Sequence, residues 1–159
     1  MSSDLEGYIE KVARHFEDEG MPRIAGRILA YLLVCDPPHA SVTQLSDALG
    51  VSMGSASTMT RMLLGIGLIE KVAVPGTRKT LFRVTADGFE RMFDQQLQRL
   101  VAFRALADEG LGLLEDGPPE RTRALAKMRA LYAFHEREMP LLLARWRAER
   151  AAEEGSSES

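Results

Sequence analysis

A single cysteine, Cys35, among 159 residues excludes an intrachain disulfide framework. The three histidines, His15, His39 and His135, are scattered, so no metal-ligand spacing arises and no metal or cofactor is expected. The chain lacks a Gly-rich phosphate loop: Gly65-Ile66-Gly67 reads as a helix end, and the stretch around Gly54 as a helix start. No Ser-His-Asp arrangement can be assembled, so no catalytic residue is assigned and no enzyme is expected. No apolar run approaches the length of a membrane span. The opening residues MSSDLEGYIE lack the basic and apolar regions of a signal peptide. A cytoplasmic protein with no membrane partner is therefore expected.

The formal net charge of −3 runs against a nucleic-acid partner until it is divided along the chain. Residues 1–20 carry two basic against six acidic side chains, residues 85–159 eleven against fourteen, and residues 21–84 seven against three. The middle segment is the only basic one, as expected of an electrostatic footprint for DNA.

That segment also holds an ordered series of local signals. Ser41-Val42-Thr43-Gln44 fits a capping box, and Leu45, Ala48 and Leu49 then share one helical face. Gly50 stands where a left-handed residue ends a helix, and Ser52 where an N-cap opens the next. In that second helix Ala56, Met59 and Leu63 form the inward stripe. Ser55, Ser57, Thr58 and Arg61 fall on the other side, a face of small hydroxyls and one guanidinium suited to base edges and phosphates. After Gly67, residues 68–74 read as a strand, Pro75-Gly76-Thr77-Arg78-Lys79 as a turn, and Leu81-Phe82-Arg83-Val84 as the return strand. The spacing predicts a winged helix-turn-helix. Its candidate DNA contacts are Ser52, Ser55, Ser57, Thr58 and Arg61, with Arg78 and Lys79 at the tip for the minor groove.

Here the chain resembles the MarR family of regulators, in its GbsR-like branch, close to actinobacterial repressors of lipid and drug exporters. The resemblance rests on residues 42–72, on Arg27 to Pro37 before them, and on the Thr85-x-x-Gly88 exit from the wing; it covers roughly residues 8–150. It implies a dimer in which the first helix and the last two interlock between subunits, and a response to a small-molecule effector. One departure stands out: Gly76-Thr77-Arg78-Lys79 replaces the Asp-x-Arg or Asp-Arg-Arg of many family wings, so no wing aspartate orients Arg78.

The flanks read as helices. Ser3 or Asp4 can cap a first helix to about Glu19, with Leu5, Tyr8, Ile9, Val12 and Phe16 on one face. Pro22 opens a second, to about Val34. Thr85 is expected to cap a long helix bearing Phe89, Phe93, Leu97, Leu100 and Arg104, broken at Asp116-Gly117-Pro118-Pro119. A last helix carries Leu125, Met128, Leu131, Tyr132, His135, Met139, Leu142 and Trp146, with Pro140 expected to kink or split it. The expected class is mainly α with a small β-hairpin wing. The expected segments are 1–20, an N-terminal dimerisation helix; 21–84, the winged helix-turn-helix; 85–150, a helical dimerisation region; and 151–159, a disordered acidic tail. The outer helices have no partner in this scheme, so a homodimer is expected to cover them.

The function expected is a dimeric DNA-binding regulator, a repressor acting at a palindromic double-stranded operator and released by an apolar or amphipathic small molecule. Candidate ligand residues are Arg27, Tyr31, Phe89, Met92, Phe93 and Arg104, the two arginines serving a polar headgroup. Two alternatives stay open: a winged-helix module that binds protein, and a redox-sensing regulator working through Cys35.

Overall fold

Glycines, prolines and capping hydroxyls punctuate the chain in the computed structural model, which describes residues 2–114 and 118–157. Helices α1 (Ser3–Asp18), α2 (Arg23–Val34), α3 (Val42–Leu49) and α4 (Met53–Gly65) come first. Strands β1 (Ile69–Val72) and β2 (Leu81–Val84) follow, then helices α5 (Gly88–Gly112) and α6 (Pro119–Ser157). The chain divides into two compact units, one reaching to Met92 and the other starting at Phe93.

In the first unit α2 is the central helix. Ala25, Ile28, Leu29, Ala30 and Leu32 are buried, joined by Ile9 and Phe16 of α1, Leu45 and Leu49 of α3, Leu63 of α4, and Leu68, Ile69 and Phe82 of the wing. Each large side chain taken fully out of water contributes about 1.5–3 kcal/mol, more than the ~1 kcal/mol of a helix cap. Packing therefore decides where the short helices lie, and caps decide where they start and stop. Gly26 lets α1 and α2 approach closely: a Cβ there would stand 3.1 Å from the Ala13 backbone. The apolar stripe of α1 is thus covered within its own chain, contrary to the expectation of an unpaired dimerisation face. Only Tyr8 of that stripe remains exposed.

The N-cap of α1 is Ser2, whose hydroxyl accepts from the Leu5 amide, rather than Ser3 or Asp4. Strands β1 and β2 pair antiparallel with Glu70 opposite Arg83. Ala40 exchanges two 2.9 Å backbone hydrogen bonds with Phe82, which ties the segment before α3 to the wing. Thr85 does not cap α5. The helix starts at Gly88, the Thr85 amide donates to the Leu68 carbonyl, and the buried Thr85 hydroxyl oxygen has no partner among the described residues. The turn formed by residues 85–87 intervenes because the chain must first return across Leu68.

In the second unit α5 and α6 run antiparallel. Asp94 pairs with Arg147, Arg104 with Glu136, and Asp108 with Arg129. The rings of Phe103 and Tyr132 lie 5.0 Å apart, and Leu125 fills the space beside Gly110. Ala107 is the one buried hydrophobic side chain among this unit's described residues. Pro140 does not split α6, which runs on through Ser157. The segment expected to be a disordered tail is helical from Ala151 to Ser157, because the Ala-, Arg- and Glu-rich stretch before it has high helix propensity. Asp116 and Gly117 of the expected break, and residues 158–159 of the expected tail, lie outside the described residues.

Candidate nucleic-acid interface

The helix-turn-helix is held by side chains that bond the backbone on either side of the turn. Ser41 and Gln44 form the full capping box: Ser41 Oγ accepts from the Gln44 amide at 3.3 Å, and Gln44 Oε1 accepts from the Ser41 amide at 2.8 Å. Gly50 ends α3 at φ +62°. The buried Ser46 hydroxyl donates to the Val51 carbonyl at 2.7 Å, fixing the turn between the helices. Ser52 caps α4, its Oγ accepting from the Ser55 amide at 3.1 Å while donating to Ser55 Oγ at 2.9 Å. Of these two expected DNA contacts, Ser52 thus gives its hydroxyl hydrogen to Ser55 at the helix start.

The rest of α4 sorts by face. Ala56, Thr60 and Leu63 are buried, whereas Met53, Thr58 and Arg61 are exposed and Ser57 half-buried. Arg61 reaches the Thr58 hydroxyl only at 3.4 Å, so its guanidinium is weakly held and can turn to a phosphate or guanine. At the wing tip Arg78 and Lys79 are exposed on a turn with Gly76 at φ +84°. Arg83 differs: its guanidinium bonds the Glu70 carboxylate at 2.7 Å across the hairpin, which neutralises much of its charge locally.

Between α4, the start of α3 and the wing lies an open cleft of about 450 Å³. Arg61, Lys71 and Lys79 bring positive charge to it, and Thr43, Ser57 and Thr80 bring hydroxyls. Thr60 also lines it, and its buried hydroxyl oxygen has no partner among the described residues. Sequence reasoning brought Ser57, Arg61 and Lys79 to this interface. It missed Thr43, Thr60, Lys71 and Thr80, which meet only because Ala40 pairs with Phe82. It also missed Met53, an exposed apolar side chain in the first turn of α4, legible in principle as a hydrophobe just after an N-cap.

Comparison with known proteins gives this geometry a family. Residues 87–149 match the family described as MmpR5-like MarR family transcriptional regulator. The chain is 41% identical over 133 residues to the HTH-type transcriptional regulator MmpR5 of Mycobacterium tuberculosis, covering 84% of this chain and 81% of that protein. The chain belongs to the MarR family of transcriptional regulators. A crystal structure of a transcriptional regulator superposes with a TM-score of 0.73 at 39% identity, over 91% of this chain and 99% of that one. The HTH-type transcriptional repressor OpcR of Bacillus subtilis is 33% identical over 85 residues, 54% of this chain and 45% of that protein. As a MarR-type regulator the chain is a DNA-binding protein, not an enzyme. No helix among its described residues is long and apolar enough to cross a membrane.

The ligand residues expected of this MarR protein fall in both units. Arg27, Tyr31, Phe89 and Met92 belong to the first, Phe93 and Arg104 to the second. Arg27 Nε lies 2.7 Å from the Glu10 carboxylate, an ion pair by distance rather than an aligned hydrogen bond. Arg104 is bound to both Glu136 and Asp108. Both arginines are thus taken by carboxylates inside their own units. The Phe89 ring lies 6.5 Å from that of Phe16, tying the start of α5 to α1, while Phe93 is exposed. Burial pushes the Tyr31 phenol up, with the neighbouring Cys35 adding to it. Burial likewise pushes the Cys35 thiol up, and a raised thiol is a poor nucleophile at neutral pH.

Proposed function

We propose that this regulator acts as a homodimeric repressor. Its two α4 helices enter successive major grooves of an imperfect palindrome, and the wings lie over the flanking minor grooves. The carrying observation is the cleft between α4 and the wing, lined by Arg61, Lys71 and Lys79 together with the hydroxyls of Thr43, Ser57 and Thr80. A backbone phosphate there would be met by these cations and by the exposed hydroxyls of Thr43 and Thr80. Ser57, Thr58, Arg61 and Met53 then face base edges, the Met53 thioether offering an apolar surface to a thymine methyl. A two-fold dimer sets the half-sites about one helical turn, roughly 10 bp, apart. The repressor sense is supported by the name borne by the OpcR relative.

Selection from random duplex DNA with the purified chain tests this reading: it should return a palindrome. On that operator Arg61→Ala should lose about 1–3 kcal/mol and relax preference at one position, whereas the joint change Arg78→Ala and Lys79→Ala should weaken all sequences and flatten the salt slope. Unchanged affinity and slope on altering the tip would remove the wing from DNA.

Release by an apolar or amphipathic molecule is the second element of the proposal. With Arg27 and Arg104 ion-paired and Phe89 packed against Phe16 and the core, its support narrows to Tyr31, Met92 and Phe93. Titrating the protein–operator complex with fatty acyl esters, phenolic acids and hydrophobic drugs, in parallel with Phe93→Ala, checks it. An effector should weaken operator binding by about 5- to 150-fold in the native chain, and less in the variant.

A further inference from the structure

The joint between the recognition helix and the wing is gripped by the base of α5. Helix α4 ends in a Schellman motif, the Leu68 amide bonding the Leu63 carbonyl and the Gly67 amide that of Leu64, with Gly67 at φ +75°. That motif uses the Gly67 amide and leaves its carbonyl without a helical partner. Arg91, in the first turn of α5, supplies one: its Nη2 donates to the Gly67 carbonyl at 2.8 Å. A Cβ on Gly67 would stand 3.2 Å from Arg91 Nε, so the guanidinium lies directly over the glycine. Gly88 closes the other side, where a Cβ would stand 3.1 Å from both the Gly67 carbonyl oxygen and Leu68 Cα. The Leu68 carbonyl accepts from the Thr85 amide at 3.0 Å.

Gly67 is the last residue before the arm that becomes the wing. At about 3.3 Å per extended residue, the eight residues from Leu68 to the tip make a lever of roughly 25 Å. A rotation of about 10° at Gly67 therefore carries Arg78 and Lys79 roughly 4 Å, enough to lift them off a groove. A positive-φ glycine tolerates such rotation better than any other residue, so the wing angle rests on what holds the joint from outside: the Ala40–Phe82 bridge at the wing's base and, on Gly67 itself, Arg91.

We propose that Arg91 is a positioning residue for DNA recognition: through the Gly67 carbonyl it fixes the angle between α4 and the wing, and it does not itself contact DNA. The proposal rests on the reading that the wing touches DNA, and the test separates the two. Operator affinity and its salt dependence are measured by fluorescence anisotropy for the native chain, Arg91→Ala, the tip variant (Arg78→Ala with Lys79→Ala), and all three changes together. Arg91→Ala should weaken binding about tenfold with the salt slope of the native chain. The tip changes should cost about three- to tenfold less in the Arg91→Ala background than in the native one, the size of coupling expected for residues acting as a unit. Arg91→Lys, which keeps a donor long enough to reach Gly67, should recover most of the loss. Arg91→Gln, too short to reach, replaces the alanine should that variant fail to fold. Strictly additive losses overturn the clamp. So does a salt slope reduced by about one, which would make Arg91 a phosphate contact. A native-background tip change without effect sinks the wing reading and the clamp with it, whereas additivity with a large tip effect sinks the clamp alone.

Discussion

At the scale of single residues, hydroxyl chemistry divides the recognition surface. Ser52 and Ser55 bond each other and the first turn of α4, so replacing Ser52 by alanine should cost about 1 kcal/mol of stability with little change in which bases are preferred. Thermal melts beside a binding selection would separate the two effects. Sequence reasoning recognised the cap and also put the residue on DNA. A hydroxyl that accepts from the helix amide still has one hydrogen to donate, and only the folded chain shows that Ser52 gives it to Ser55 Oγ. Thr60 lies four residues after Ala56 and three before Leu63, on the inward stripe already legible in the sequence, but as a polar residue it is not counted with them. Cys35 is the sharpest residue-scale case. Its thiol is pushed up by burial, so the thiolate is scarcer at neutral pH than in a free cysteine. Alkylation should therefore have its pH midpoint above that of a small thiol, and peroxide should leave operator affinity unchanged. A midpoint below the small-thiol value, together with peroxide release of DNA, would restore the redox switch.

At the scale of elements, boundaries set by local chemistry were legible and those set by distant partners were not. Gly50, Gly67 and the Ser41–Gln44 pair mark helix ends through rules that act within four residues, and β2 falls on Leu81–Val84 as its pattern predicts. The delayed start of α5, the Ala40–Phe82 bridge and the cover that α2 gives α1 all depend on distant residues or on close backbone approach. The α1–α2 contact carries its own prediction. Glu10 is held below the usual carboxylate range by the hydrogen bond from Arg23 and, against some opposing desolvation, by the charges of Arg27 and Arg23. A depressed folded-state value means that the contribution is complete above the unfolded carboxylate range and is lost as pH falls through the folded one. Acid should therefore loosen α1, and Glu10→Gln should flatten that part of the stability–pH curve. The effect should be modest and shrink with salt, because Arg23 and Glu10 are well exposed to water. An acid limb identical in the native chain and the variant would show that the pair contributes nothing.

At the scale of the whole molecule, the two units differ in how they satisfy the hydrophobic effect. The first has its own core from α1 to the wing. In the second, the heptad-like series Leu125, Met128, Tyr132, His135 and Met139 is half-buried, while Leu131, Phe134 and Leu141 recur on another face of α6 and are 50–64% exposed. Phe103 and Leu106 are likewise exposed on α5. A helical pair with one buried hydrophobe and a second apolar seam leaves more apolar surface in water than a stable monomer ordinarily does. In the proposed dimer a second copy of the chain would cover it by two-fold symmetry, with an interface of about 2,000 Å² or more if the dimer is obligate. The expected dimer thus keeps its support from α6 but loses the argument drawn from α1. Light scattering at micromolar concentration should give twice the mass of the 17.6 kDa chain. Leu131→Glu with Leu141→Glu places two charges per copy on the seam and should give the monomer mass. Circular dichroism of that variant should retain the signal of the first unit, whose core the changes do not touch. Operator affinity should fall by about 10²-fold or more, because each half-site is then bound without the effective concentration its partner supplies. A variant that stays dimeric places the interface off this seam, and a native chain that is monomeric at micromolar concentration overturns the dimer itself.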